Sequence, residues 1–161
     1  MNNKGFSLVE ILAVVAIMGI LFGISAQAYS RYIDQSRNKA YLMLVDSAET
    51  ATNNYSLHFA LPTDGTGGVT FSDLFTKEYL ERPTDPGNKI KMCKGKVTMK
   101  SFYAVVGTGC KEDQALDKYV FNTVICCSNY TYSFEYVKNP EKSCDVVRKK
   151  TKLSSCPSGA A

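Results

Sequence analysis

Histidine is nearly missing from this chain: its 161 residues include one, His58. No two of the six cysteines stand in a CxxC spacing. Structural zinc sites draw their ligands from these two residue types, so zinc ligation has little to work with. Cysteine is itself absent before Cys93, and no charge occurs between Glu10 and Arg31. Neither proline nor glycine interrupts residues 24–60, so nothing there forces a helix to stop. A phosphate-cradling glycine loop, HExxH, GxSxG and a cysteine–histidine pair are all lacking. No enzyme, cofactor or metal is expected.

What is present is unevenly spread. The charge-free stretch 11–30 is twenty residues long. As a helix rising 1.5 Å per residue it would span roughly 30 Å, the thickness of a bilayer's hydrocarbon core. The rest of the chain reads as soluble, which suggests one membrane segment carrying one exported domain. All six cysteines, Cys93, Cys110, Cys126, Cys127, Cys144 and Cys156, lie beyond residue 92. An even number in a domain of about a hundred residues points to disulfides and an oxidising compartment. Six cysteines allow 15 pairings, among which spacing does not choose. The adjacent Cys126 and Cys127 should point to opposite faces of a strand and find different distant partners.

Residues 1–88 hold six basic and nine acidic side chains, net −3, whereas residues 89–161 hold thirteen and six, net +7. The clusters Lys89, Lys91, Lys94, Lys96, Lys100 and Arg148, Lys149, Lys150, Lys152 can draw in an anionic ligand such as DNA. A solvated strand edge that uses lysine against edge-to-edge pairing is the favoured reading, because no aromatic platform is interleaved with them. Asn54-Tyr55-Ser56 and Asn129-Tyr130-Thr131 are glycosylation sequons of little weight.

The first thirty residues carry the sharpest signal. Glu10 lies among Phe6, Leu8, Val9, Ile11 and Leu12, and an acid in a membrane helix costs roughly 2.5–3.5 kcal/mol on insertion scales. One ordinary explanation is a capping box, Ser7-x-x-Glu10, that starts a helix near Phe6. Another is a secretory signal cut at Ala26-x-Ala28. Neither explains the whole string. "KGFSLVE" followed by apolar sequence resembles the cleavage-and-methylation segment of type IV prepilins and pseudopilins. The resemblance implies that a prepilin peptidase cuts between Gly5 and Phe6 and methylates the new amine of Phe6, leaving the apolar run in the mature chain. It also implies that Glu10 neutralises that amine, in its own chain or a neighbour, during assembly. Partners would be further pilin subunits in a homopolymer or mixed filament, the peptidase, inner-membrane assembly machinery and the membrane.

From Tyr29 to Phe59 the helix continues with an apolar stripe of Ile33, Ala40, Leu44, Ala48, Ala51 and Tyr55, and with Asp46 and Glu49 on other faces. Many major pilins place a proline where this chain has Gln27. Gly19 and Gly23 spell GxxxG, which permits close helix contact. Pro62, Gly65, Gly67 and Gly68 end the helix. Ser72 can cap a short helix Asp73–Leu80, and "PTDPGNK" makes turns. "YLERPTDPGNK" resembles a segment of major pseudopilins and Gram-positive-type pilins. Lys96–Val106, Lys118–Cys126 and Tyr130–Val137 read as strands, with Ser128-Asn129 a tight connection. Tyr130, Tyr132, Phe134 and Tyr136 alternate as a sheet face that packs on a helix. The Glu112, Asp113 and Asp117 loop, whose counterpart holds calcium in some pseudopilins, reads as a solvated hairpin.

The expected architecture is α+β: a long N-terminal helix on a small, disulfide-stapled antiparallel sheet. The parts would be a leader 1–5, a membrane and filament-core helix 6–29, its amphipathic continuation 30–59 and a head 60–161. The expected function is a structural subunit of a type IV pilus-like filament, membrane-anchored before assembly and extracellular or periplasmic afterwards. The alternatives are a pseudopilin of a type II secretion or DNA-uptake apparatus, or an adhesin or DNA-binding module using the basic half.

Overall fold

In the computed structural model, residues 7–107, 119–142 and 144–160 are described, apart from the side chains at 24–28, 103 and 104. The chain divides into two compact units, Met1–Lys39 and Ala40–Ala161. Helix α1 runs Leu8–His58, close to the expected 6–59. At its start one half of the expected capping box is present, Glu10 Oε2 accepting from the Ser7 amide at 2.9 Å, while the Ser7 carbonyl accepts from the amides of Glu10 and Ile11 at 3.0 and 3.3 Å.

Within the second unit, α1 buries Tyr41, Val45, Ala48, Ala51 and Thr52. The stripe is therefore centred on Tyr41 and Val45, with Leu44 and Tyr55 half-buried at its margins. Thr52 is tolerated there because its hydroxyl donates to the Ala48 carbonyl, 2.8 Å away. Beyond the loop, strand β1 (Val69–Thr70) leads into α2 (Phe71–Thr76). The cap is Thr70, not Ser72, and the helix ends at Thr76, not Leu80. Thr70 and Asp73 complete a full capping box, which the fixed spacing of three residues selects over a lone serine. "TDPGNK" forms the hairpin β2 (Thr84–Asp85) and β3 (Asn88–Met92).

The main sheet is antiparallel in the order β1-β4-β5-β6-β7, with β4 Lys94–Ser101, β5 Tyr119–Cys126, β6 Thr131–Lys138 and β7 Val146–Lys152. The expected strand Lys96–Val106 is in fact β4 followed by the short helix α3 (Phe102–Val106). Phe102 and Val106, four residues apart on that helix, are buried together with Val120 in a second, smaller cluster. Strand β7 lies beyond the three expected strands and forms one edge of the sheet, its lysine-rich sequence suiting an exposed edge.

The main core joins the α1 stripe to Val97 of β4, Ile125 of β5, Phe134 of β6, and Phe71 and Leu74 of α2. Gly95 is required in β4, since a Cβ there would lie 2.7 Å from the Phe71 ring and 2.6 Å from the Val124 carbonyl. Tyr130, just before β6, stacks on Tyr41 with ring centroids 4.0 Å apart, and Phe134 of β6 joins the core that the helix stripe forms, so the aromatic stripe does pack on the helix. Cys93 is bonded to Cys127 and Cys126 to Cys156, so the two neighbours take different distant partners. Cys144 is also disulfide-bonded. Cys110 and the loop of Glu112, Asp113 and Asp117 lie outside the described residues, as do Gly5 and Phe6.

Candidate assembly site

The first unit presents an unusual helix surface. Every described side chain from Ser7 to Gly23 is exposed, including Leu8 at 75 %, Leu12 at 61 % and Phe22 at 76 %. A helix apolar on all sides belongs in a core, a membrane or a bundle, and an apolar surface of this extent marks an interaction site. Glu10 is the single charge in it, held at the start of the helix where its carboxylate meets the Ser7 amide. An acidic group in the first turn also complements the helix dipole. A Cβ added at Gly19 or Gly23 would meet nothing within 4 Å, so those positions leave a smooth groove that another helix can approach.

Among the described residues no helix is long and apolar enough to cross a membrane. The described apolar side chains cover 8–23, about 24 Å of helix. The charge-free stretch continues through 24–28, Gln27 among them, whose side chains lie outside the described residues.

In the second unit the basic residues are not one solvated strip. Arg148 reaches from β7 to α1, where its guanidinium pairs with Asp46 Oδ1 at 2.6 Å and Glu49 Oε1 at 2.8 Å. The same Glu49 oxygen accepts from the Thr123 hydroxyl at 2.8 Å. Glu49 therefore faces the sheet, contrary to its expected outward position. Its burial raises the carboxyl above the usual range, against the lowering pull of Thr123 and Arg148. The aromatic residues also reach the lysines: Lys150 Nζ lies 4.7 Å from the Tyr130 ring and 4.2 Å from that of Tyr132. The spacing of the lysines hid this, because the rings come from the neighbouring strand. These contacts occupy Arg148 and Lys150 within the chain, while Lys149 and Lys152 remain exposed at the edge.

Asp85 is a further buried acid that sequence reading did not single out. Its Oδ1 accepts from Tyr41 Oη at 2.8 Å and the Gly87 amide at 2.7 Å, and its Oδ2 accepts from the Ser128 amide at 2.9 Å. Burial works to raise its pKa, but these donors together hold the carboxyl below the ordinary value. Asp85 thus ties α1, the β2–β3 hairpin and the β5–β6 turn to one anion. The sulfurs of Cys93 and Cys127 lie within 4.8 Å of it, but they are joined in a disulfide and offer no thiolate to a metal.

Residues 1–26 match the family model for the prokaryotic N-terminal methylation motif. The chain is 31 % identical over 81 residues to the type IV major pilin protein PilE of Neisseria gonorrhoeae, covering 49 % of this chain and 48 % of that one. The same identity and coverage relate it to a fimbrial protein of Neisseria meningitidis serogroup A. A second gonococcal type IV major pilin, PilE1, is 33 % identical over 56 residues, 35 % of this chain and 34 % of that one. The chain spans about half the length of the first of these curated relatives. No solved structure matches it. The chain thus bears the prokaryotic N-terminal methylation motif, which includes "KGFSLVE", and is similar to type IV major pilins.

Proposed function

We propose that this protein is a structural subunit of a type IV pilus-like filament. The observation that carries the reading is the helix surface of 8–23, apolar on all sides, exposed, and charged only at Glu10. In this reading residues 1–5 are a leader removed by a prepilin peptidase between Gly5 and Phe6, and the new Phe6 amine is methylated. The apolar helix anchors the subunit in the membrane before assembly. It then passes into the core of a homopolymeric or mixed filament, drawn out by inner-membrane machinery. The disulfide-stapled sheet covers the outside, in an extracellular or periplasmic setting.

Glu10 neutralises the Phe6 amine of its own or a neighbouring chain in this reading. A cation left in an apolar setting without its partner typically costs about 3–5 kcal/mol, which is enough to block docking while sparing the subunit's own fold. Capping and neutralisation are compatible, and Glu10→Gln separates them, because glutamine also completes a capping box. The variant should be inserted, cleaved and oxidised normally yet yield little or no filament by electron microscopy. Normal filaments from it would return Glu10 to capping alone. Mass spectrometry of the mature chain tests the cleavage itself. A methylated Phe6 terminus is expected, and a terminus near Tyr29 would make the apolar run a discarded signal and overturn the reading.

The hairpin formed by "TDPGNK" within "YLERPTDPGNK" favours a second reading, a pseudopilin of a secretion or DNA-uptake apparatus. Filaments extending from the cell surface under native expression support the pilus, whereas short structures confined to the periplasm support the pseudopilin.

A further inference from the structure

Ile90 is the most exposed large apolar residue described in this protein, at 87 %. It sits in β3, which pairs with the two-residue β2 in a sheet of its own. Lys89 and Lys91 flank it, both exposed, and Met92 follows at 39 %. Side chains alternate along a strand, so Ile90 and Met92 share one face of β3 and Lys89 and Lys91 the other: the hairpin is a knob with an exposed apolar face and two cations along its back. Nothing in the hairpin's own packing requires isoleucine there.

The same compact unit carries a groove of about 560 Å³ along α1. It is lined on its apolar side by Met43, Ala51 and Tyr79, and on its polar side by Asp46, Ser47 and Thr50. Met43 is 67 % exposed, so the groove has apolar surface still to be covered. Asp46 brings a carboxylate to the rim, 59 % exposed even while Arg148 holds its Oδ1. Knob and groove are thus complementary in both respects, isoleucine and methionine to an apolar lining and lysine to a carboxylate. They are different patches on one surface, which is the requirement for a head-to-tail contact that repeats without closing.

We infer that the β2–β3 hairpin of one subunit docks in the α1–Tyr79 groove of the next copy of this chain, with Ile90 in the groove and Lys89 or Lys91 at Asp46. This rests on the filament reading and adds to it a specific contact between heads. The hairpin becomes a connector, and its exposed isoleucine is covered only in the polymer. Exposed lysines beside the knob also act against unwanted pairing of free subunits before assembly.

A photo-crosslinking residue placed at position 90 of the full chain tests the contact in sheared filaments. Adducts joining position 90 to residues 43–54 or to Tyr79 of another copy are expected. Adducts to any other surface, or none in filaments that form normally, would overturn the contact while leaving the filament reading intact. If the parent chain forms no filament under any expression, both fall. Two variants guard against misfolding of the modified hairpin. Ile90→Asp and Ser47→Trp should each reduce sheared filament at least tenfold with the disulfides of the head still formed. Filament yields equal to the parent from both would also overturn the contact.

Discussion

One helix, α1, is built in two ways along its length. In 7–39 every described side chain is exposed except Ile33, which is half-buried, although the sequence is most apolar there. In 40–58 the sequence is more polar, yet Tyr41, Val45, Ala48, Ala51 and even the hydroxyl of Thr52 are buried. Apolar content and burial thus run in opposite directions along a single element. Most helical stability in proteins comes from packing one face against something. The second stretch finds its packing in the sheet of its own unit, and in the proposed filament the first finds it in lipid or in other chains.

The sharpest way to break this comparison is to remove apolar volume from each side. Phe134 is 1 % exposed in the main core, so Phe134→Ala should cost the head about 3–5 kcal/mol, read as a large fall in the thermal unfolding midpoint. Leu12→Ala removes an exposed side chain and should leave the stability of the head within about 0.5 kcal/mol of the parent, while lowering filament yield. Equal destabilisation by both variants would mean that residues 7–39 are packed within the monomer after all.

The two stretches also differ in how legible they are from sequence. The N-terminal one is read almost entirely from what it contains, because an unbroken apolar run and a single acid need no partner to be recognised. In the head, elements whose character is local were also legible: residues 40–58 of α1 from their period and the lack of proline and glycine, β5 and β6 from their Val, Tyr and Phe alternation. Three features were not. Phe102–Val106 has the composition of a strand, yet it forms a helical turn that buries Phe102 and Val106 together in the smaller cluster. Val146–Lys152 reads only as a solvated strand edge with no partner to name, whereas all seven of its residues pair with β6. Glu49 looks like a surface acid, since the guanidinium that makes its burial tolerable is 99 residues away. Long-range pairing, unlike periodicity, leaves no mark in a single sequence.

That Glu49–Arg148 pair sharpens the comparison at smaller scale. Here the head neutralises an acid from within its own chain, as the proposed filament would neutralise across chains. Arg148→Met leaves Glu49 beside Thr123 without its cation and removes the guanidinium from the Phe134 ring, 4.9 Å away. The outer carboxylate, Asp46, is more than half exposed, so the loss should be below that of a fully buried pair, about 2–3 kcal/mol. Adding Glu49→Gln should recover at least half of it, because an amide is tolerated where an unpaired carboxylate is not. No recovery in the double variant would show that Arg148 acts through its packing alone.

Acid should weaken the head through Asp85. Its folded-state pKa lies below the unfolded value, so the native state binds fewer protons, and the stabilisation is complete above the ordinary carboxylate range. It is lost as pH falls through about 4 and below. Glu49 has the opposite sign: with its pKa raised by burial, its contribution is lost as pH rises from the ordinary carboxylate range through the raised value. Asp85→Asn should lower stability at neutral pH and flatten the acid limb of the unfolding curve, whereas Glu49→Gln should flatten the limb above it. An Asp85→Asn head as acid-sensitive as the parent would show that its carboxylate is not the group being protonated.

The smallest effect concerns backbone strain, which only the packed half of the molecule has reason to hold. Glu78 takes φ of +62°, a left-handed conformation that costs a side-chain-bearing residue roughly 1–2 kcal/mol. The position follows the end of α2, where the Glu78 amide donates to Phe75 and the Tyr79 amide reaches the Leu74 carbonyl at 2.9 Å. That wrap closes the helix and swings Tyr79 toward α1, which glycine would do without strain. Glycine in turn gives the unfolded chain more freedom to lose, a penalty of about 0.5–1 kcal/mol. The balance for Glu78→Gly is a gain of about 0.5 kcal/mol in the unfolding of the head, while Glu78→Val should lose more than that. A Glu78→Gly head clearly less stable than the parent would mean that the glutamate side chain contributes more than its backbone costs.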